Sequence, residues 1–227
     1  MADPTEHVQG HRDRLRRRVL TAGPETLADY ELLEFLLCLA VPRRDVKPLA
    51  KQLIKHFGSF AAALTAEPAR LREVDGVGDG VVPAFLAIRA AGTKLLQAHV
   101  LDQPVLSSWQ ALLDYCRAAM AHEPVEQFRL LFLDRKNRLI ADEVQQTGTV
   151  DHTPVYPREV MKRALQLNAS AIILVHNHPS GDPTPSRADI AMTQEIVEAA
   201  RRLNIAVHDH LIIARNQSTS FKAVGLL

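Results

Sequence analysis

The first hundred residues carry apolar side chains at intervals of three and four positions, which is the spacing of helices with one buried face. Leu49, Leu53 and Phe57 are one example of this spacing. Thr26 or Asp29 is a candidate N-cap for the second helix, and Pro42 ends it. The helices predicted from this pattern cover residues 13 onward, 30–37, 46–56, 60–64, 68–72 and 82–96.

The pattern changes at Gln103-Pro104, where short apolar runs of strand length begin to alternate with polar turns. Ser107 or Ser108 is a candidate cap for the helix that follows. The strands predicted in this part cover residues 126–134, 139–147, 171–175, 206–208 and 211–214, and the helices cover 109–122, 157–167 and 184–204. Residues 147–150 continue as a loop or a short strand. We therefore predict a small all-α domain over residues 1–103 and a mixed α+β domain over residues 104–227.

Composition adds few restrictions. The formal net charge of +1 gives no overall electrostatic reason to expect nucleic acid. A basic run at residues 11–18 is interpreted as a solvated helix face or a disordered start, with a phosphate contact as the alternative. Two separate cysteines, Cys38 and Cys116, predict no disulfide framework. No secretory signal or run of roughly 18 apolar residues is present, so we expect a cytoplasmic protein without a membrane partner.

Two histidines directly follow the predicted strand 171–175. Residues i and i+2 of a strand point to one face, so His176 and His178 are expected to project together. Asp189 follows where the sequence becomes helical, with Ser186 as the candidate N-cap. Two imidazoles and one carboxylate leave a fourth tetrahedral position for water, an arrangement typical of catalytic zinc.

Neighbouring polar residues have more than one interpretation. Asp182 is interpreted as a turn-forming residue, with acceptance of an imidazole N–H as the alternative. Asp209 and His210 are interpreted either as reaching the site or as a strand-end pair packed near it, and neither is assigned as a ligand.

A glycine-rich segment at residues 74–80 precedes the helix predicted at 82–96. It resembles a helix-hairpin-helix motif, in which Gly76 and Gly78 would let the backbone approach a phosphate of nucleic acid. Asp79 carries a charge that would repel phosphate. A tight turn between two packed helices is the other interpretation, and the sequence leaves both open.

The spacing His176-x-His178-Pro179, six residues, Ser186, two residues, Asp189 matches the JAMM motif of the MPN/JAB metalloprotease fold. The longer string at residues 176–186 resembles the RadC family more closely, as do residues 156–159 and 209–212. The helical N-terminal half is also similar to that of RadC proteins. The resemblance implies a cytidine-deaminase-like α-β-α domain with a mixed sheet and zinc at one end.

The resemblance also implies site roles. His176, His178 and Asp189 would bind one zinc ion per chain. Glu126 matches the general base of the metalloproteases, with Glu143 as the second choice. Ser186 would stabilise an oxyanion or hold the bound water, besides its role as N-cap.

The function implied is hydrolysis of an amide or isopeptide bond in an unknown peptide substrate. The alternative is a DNA-binding, repair-associated protein whose zinc domain is a nuclease or a non-catalytic module. In that case Lys47, Lys51, Lys55 and the basic run at residues 11–18 would contact phosphates through the N-terminal domain. A scaffolding module that has kept its metal is a third interpretation.

Overall fold

This computed structural model describes residues 4–42, 44–101, 104–147 and 155–227. The chain divides into two compact units, Met1–Ala91 and Gly92–Leu227. These units are defined by how compactly the chain packs, which is a different criterion from a domain boundary. The domains predicted from the sequence, 1–103 and 104–227, therefore stay a prediction. No described helix is both long enough and apolar enough to cross a membrane.

The first unit is helical over its described residues. Its core includes the fully buried Leu33, Leu37, Leu53 and Phe85. The helices are α1 (Pro4–Ala22), α2 (Asp29–Ala40), α3 (Lys47–Phe57), α4 (Phe60–Leu64), α5 (Pro68–Arg72) and α6 (Val81–Leu101), the last of which contains the division between the units.

Three predictions in this unit were wrong in detail. Helix α1 begins at Pro4 and α6 continues to Leu101, so both are longer than predicted. Helix α2 is capped neither by Thr26 nor by Asp29. Ala28 is its N-cap, and the Glu31 carboxylate accepts a hydrogen bond from the Ala28 amide at 3.0 Å. An alanine has no capping side chain, so Glu31 satisfies the exposed amide from inside the helix.

The basic run at residues 11–18 is only partly a solvated face. Arg12 is 8% exposed and donates to the carbonyls at the end of α2, including that of Val41 at 2.7 Å. Arg18 pairs with Glu31 at 3.0 Å. These guanidinium groups satisfy a helix end and a carboxylate, so the structure accounts for them without a phosphate.

The second unit contains a five-stranded mixed sheet in the order β2-β1-β3-β4-β5. Only β3 and β4 pair in parallel, and the other neighbours are antiparallel. The elements after α6 are α7 (Trp109–Met120), β1 (Gln127–Leu133), β2 (Leu139–Thr147), α8 (Pro157–Gln166), β3 (Ala171–Asn177), α9 (Arg187–Arg202), β4 (Ala206–Ile213) and β5 (Ser218–Ser220).

Helices cover both faces of this sheet. On one face, Ile173 and Leu131 pack in a cluster with Cys116 of α7. On the other face, Leu174 and Phe128 pack with residues of α8 and α9. Because both faces of the sheet are buried, the central strands consist of continuous runs of apolar residues. The mixed α+β class predicted for this part is confirmed, with the sheet between two helical layers.

The strand predictions needed correction at β3 and β4, and β5 was not predicted. Strand β3 continues through Asn177, and β4 is one strand rather than two. The predicted break fell at Asp209 and His210, which are buried polar residues in the middle of β4. Asp209 accepts a hydrogen bond from the Lys222 amide at 3.0 Å, so a polar residue is tolerated there. The loop predicted at 147–150 falls almost wholly outside the described residues.

The N-cap predicted for α7 is confirmed in position. Ser108 is the N-cap of α7, although its side chain makes no capping hydrogen bond. Its hydroxyl lies 3.2 Å from the Pro104 carbonyl oxygen and donates to it.

Candidate metal centre

A cluster of metal-binding side chains lies where β3 ends and α9 begins. His176 is a buried residue of β3, and His178 follows directly after the strand. Asp189 lies in the first turn of α9 and is 8% exposed. The alternation of side chains along β3 brings the two imidazoles to one face, as expected.

The three side chains fit a tetrahedral metal ion. Their potential ligand atoms all lie within 4.8 Å of one another. His176 Nε2 is 2.9 Å from His178 Nε2 and 3.3 Å from Asp189 Oδ1. Tetrahedral zinc with bonds of about 2.0–2.1 Å places neighbouring ligand atoms about 3.3–3.4 Å apart. The cluster therefore needs only small movements to bind zinc.

Each of these side chains has a second polar partner. The Nδ1 atom of His178 is 2.7 Å from the main-chain oxygen of Asp182. The Nδ1 atom of His176 is 2.7 Å from Nε2 of His210. Hydrogen bonds of this kind fix the orientation of a histidine ligand. Sequence reasoning left a role for His210 near the site open, and the structure places its ring against His176.

Ser186 caps α9, as predicted. Its Oγ accepts from the Asp189 amide at 3.1 Å. In return, Asp189 Oδ2 accepts from the Ser186 amide at 2.7 Å and from the Ser186 hydroxyl at 2.6 Å. Asp189 Oδ1 faces His176, so the cap and the metal cluster share one carboxylate.

The turn between the ligands is held by Asp182. Its side chain accepts from the Thr184 amide at 2.9 Å and from the Thr184 hydroxyl at 2.6 Å. The Asp182 side chain therefore forms the turn, as predicted. The imidazole of His178 is hydrogen-bonded by the main-chain carbonyl of Asp182 and not by its side chain.

The local electrostatics favour a neutral His176 and an ionised Asp189. Burial lowers the pKa of His176 to about 4. For Asp189, burial acts to raise the pKa, but hydrogen bonds from His178 and Ser186 hold it well below its usual range. A neutral imidazole and a carboxylate are the protonation states that bind a cation.

His178 differs from His176. The hydrogen bond to Asp189 raises its pKa, although burial acts in the opposite direction. The charge of Glu126 contributes to the same rise, so this carboxylate lies close enough to His178 to affect its protonation. Glu126 is half-buried and directly precedes β1.

Asn177 connects the two parts of the site and was not identified from the sequence. It is 1% exposed, and its Oδ1 accepts from the Gln127 amide at 2.8 Å. Its Nδ2 donates to the Val125 carbonyl at 3.1 Å. These two contacts flank Glu126, so the residue between the histidines fixes the segment that carries this carboxylate. The only indication of this role in the sequence is the position of Asn177 between His176 and His178.

Glu143 has a different environment. It lies on β2 and accepts from Arg163 Nε at 2.8 Å. The hydrogen bond from Arg163 lowers the pKa of Glu143. This carboxylate is engaged in an ion pair with α8.

The hairpin glycines lie in the first unit. Gly76 has a φ of +91°, and its carbonyl accepts from Arg44 Nη2 at 2.6 Å. A Cβ on Gly80 would approach the Ala40 oxygen to 2.9 Å. A Cβ on Gly78 would come within 4 Å of no described atom. Local backbone and packing therefore explain Gly76 and Gly80 but give no internal reason for glycine at position 78.

A mixed sheet between helical layers, with a His-x-His pair at a strand end and an aspartate in the following helix, defines a JAB-type domain. Residues 106–226 match the family described as RadC-like JAB domain, and residues 9–81 match the family described as UPF0758 N-terminal. A UPF0758 protein of Rhodobacter capsulatus is 64% identical over 213 residues, which are 94% of this chain and 100% of the relative. A UPF0758 protein of Ruegeria pomeroyi is 56% identical over 97% of this chain and 99% of its own length. The chain belongs to the RadC/UPF0758 family.

Proposed function

We propose that this protein is a zinc-dependent hydrolase that cleaves an amide or isopeptide bond. The observation that supports it most is the cluster of His176, His178 and Asp189, whose ligand atoms lie within 4.8 Å of one another. Three protein ligands of this chemistry leave a coordination position for water or substrate. A zinc ion held by these three residues would lower the pKa of bound water to about 7 and polarise a carbonyl group.

Glu126 is the proposed general base and acid. It takes the proton of the attacking water and delivers it to the leaving nitrogen. Its electrostatic effect on His178 and the hydrogen bonds of Asn177 on either side of it support this role. Glu143 is the weaker candidate because its carboxylate is held by Arg163.

Ser186 is the proposed oxyanion donor. Its hydroxyl proton is directed at Asp189 Oδ2, from which it turns towards a substrate oxygen. The Ser186 amide still donates to the same carboxylate oxygen, so Asp189 stays held when the hydroxyl turns away.

The substrate class is argued from the fold relatives, since the names of the relatives state no substrate. The test compares zinc-loaded wild-type protein, Glu126→Gln and Glu143→Gln on a library of peptides and isopeptide-linked lysine substrates. We expect Glu126→Gln to bind zinc normally and to lose about 10²–10⁴-fold in kcat. Glu143→Gln serves as the matched control and is expected to stay active.

Two outcomes contradict this proposal. Full activity of Glu126→Gln with an inactive Glu143→Gln would reverse the choice of base. Hydrolysis that is unchanged after removal of zinc by a chelator would exclude the zinc-dependent mechanism.

DNA binding by the first unit is the second candidate, and Gly78 favours it. The described packing gives no reason for glycine there, whereas close approach of a phosphate to the backbone would. Arg44, hydrogen-bonded to Gly76, supplies a guanidinium at the same turn. In this proposal the metal domain acts as a nuclease or a non-catalytic module.

Fluorescence anisotropy with duplex, branched and single-stranded DNA tests this candidate at low and physiological salt. We expect affinity to fall steeply as salt rises, and Gly78→Ala to weaken binding without changing thermal stability. A flat salt response, or equal binding by Gly78→Ala and wild type, would contradict DNA binding at this turn.

A further inference from the structure

A chain of buried hydrogen bonds extends from His176 away from the metal cluster. His176 Nδ1 lies 2.7 Å from His210 Nε2, and His210 Nδ1 lies 2.6 Å from the hydroxyl of Thr193. The same hydroxyl lies 2.6 Å from the main-chain oxygen of Asp189. The chain therefore begins at one proposed ligand and ends on the backbone of another.

The protons along this chain can be assigned by elimination. A neutral imidazole carries one N–H, so a metal bound at His176 Nε2 requires the proton on Nδ1. That proton is donated to His210 Nε2, which must then be unprotonated. His210 consequently carries its own proton on Nδ1 and donates it to Thr193. The Thr193 hydroxyl donates to the Asp189 carbonyl, which can only accept.

The opposite assignment blocks the metal site. If the Thr193 hydroxyl donates to His210 Nδ1, the His210 proton moves to Nε2 and is donated to His176 Nδ1. His176 would then carry its proton on Nε2, the atom that faces His178 and Asp189. An imidazole nitrogen that carries a proton has no lone pair for a metal.

The surroundings of His210 leave little scope for substitute partners. The ring is completely buried, and its centroid lies 4.5 Å from that of Phe221 and 5.8 Å from that of Phe128. Two aromatic rings pack around an imidazole whose nitrogens both have partners. Loss of one partner therefore leaves a buried polar atom without a hydrogen bond.

We propose that His210 and Thr193 are positioning residues that hold His176 in the tautomer with Nε2 free to bind zinc. The inference rests on the proposed zinc site. It means that His210 on β4 and Thr193 on α9 contribute to the affinity of that site for zinc. His178 obtains the same tautomer more simply, from the Asp182 carbonyl. The tautomer of His178 is set by a main-chain group, whereas that of His176 depends on the side chains of His210 and Thr193. Substitution of those side chains can therefore change the His176 tautomer.

Zinc affinity measured by competition with a chromophoric chelator tests the proposal with two matched pairs. Thr193→Val keeps the side-chain shape and removes the hydroxyl, whereas Thr193→Ser keeps the hydroxyl. His210→Leu removes both nitrogens, whereas the amide of His210→Gln can accept from His176 and donate to Thr193. We expect Thr193→Val and His210→Leu to weaken zinc binding about 10- to 100-fold. Thr193→Ser and His210→Gln should stay close to wild type.

A direct readout of the tautomers accompanies the affinities. In metal-free protein with ¹⁵N-labelled histidine near neutral pH, long-range nitrogen–proton NMR spectra should already show the proton on Nδ1 of both His176 and His210. A merely structural role for His210 would leave this proton position to be set by zinc. This spectrum uses the wild-type chain, so it remains decisive if a substituted chain fails to fold.

The outcomes separate this inference from the proposed function. A wild-type chain that binds no zinc overturns both. A wild-type chain that binds zinc, with Thr193→Val and Thr193→Ser equal in affinity or with the His210 proton on Nε2, overturns the positioning role alone.

Discussion

At the scale of single residues, hydrogen bonds orient the proposed ligands on the sides that face away from the cluster. His178 is held by the Asp182 carbonyl, His176 by His210, and Asp189 by Ser186. Orientation of this kind reduces the reorganisation needed on metal binding. Protonation of the histidines competes with metal binding at this cluster.

His176 gives the metal-free protein a defined acid sensitivity. Its folded pKa of about 4 lies below the value near 6.5 of an unperturbed histidine. As the pH falls below 6.5, the unfolded chain takes up a proton before the folded chain does, so the free energy of unfolding decreases until the pH approaches 4. We expect this residue to account for a loss of about 3 kcal/mol.

Urea unfolding of chelator-treated protein at about pH 7.5 and about pH 4.5 measures this loss. His176→Leu is the control, and its loss between the two pH values should be smaller by the same amount. Equal losses in the two proteins would contradict a buried, neutral His176.

Asn177 is expected to stabilise the segment that carries Glu126. Asn177→Leu keeps the approximate size of the side chain but leaves the Gln127 amide and the Val125 carbonyl without their partner. A buried group left unsatisfied costs about 1–3 kcal/mol. Denaturant unfolding should show a loss of at least this size, and hydrogen exchange of the Gln127 amide should become faster. An unchanged exchange rate would show that Asn177 does not hold this segment.

Sequence reasoning found the residues whose relationship is local, but it missed Asn177 and left the role of His210 open. His176, His178 and Asp189 follow one another within a strand, a turn and a helix start, so their spacing alone predicts a cluster. Asn177 meets Gln127 50 residues away, and His176 meets His210 34 residues away. Contacts of that kind depend on sheet register, which no short motif specifies.

At the scale of elements, the start of α9 serves both folding and the proposed metal site. The Ser186 hydroxyl accepts from the Asp189 amide and donates to the Asp189 carboxylate. Asp189, whose carboxylate faces the histidines, therefore also forms the hydrogen bonds that cap the first turn of α9. A change at the cap is expected to affect stability and metal affinity together.

Ser186→Ala removes this hydroxyl, and we expect a loss of about 0.5–2 kcal/mol in unfolding free energy. Zinc affinity should fall as well, because Asp189 Oδ2 loses the Ser186 hydroxyl that donates to it, although the Ser186 amide remains. Ser186→Thr retains the hydroxyl and serves as the control. Equal stability of the alanine and threonine variants would contradict the capping role.

Two elements show where local patterns mislead. Asp209 and His210 look like the end of a strand because polar residues seldom lie inside one. The structure keeps both inside β4 because Ser220 and the Lys222 amide bind Asp209, while His176 and Thr193 bind His210. Helix α2 likewise begins without the cap expected from its neighbours, because Glu31 takes over that role.

At the scale of the whole molecule, the order of helices and strands was largely predictable, and the sheet topology was not. Apolar runs and polar turns located the helical first part and the strands of the second. The pairing of β1 with both β2 and β3, and the parallel pairing of β3 with β4, depend on contacts between distant segments. The family resemblance supplied that information, and the mixed sheet agrees with it.

We propose above all that His176, His178 and Asp189 together bind one zinc ion. Elemental analysis of protein purified without chelator tests it most directly, with His178→Ala as the paired variant and His56→Ala, at an exposed histidine of α3, as the control. We expect one zinc ion per chain in wild type and in His56→Ala, and almost none in His178→Ala. A wild-type chain that takes up no zinc when it is supplied, or equal zinc content in all three proteins, would contradict the claim.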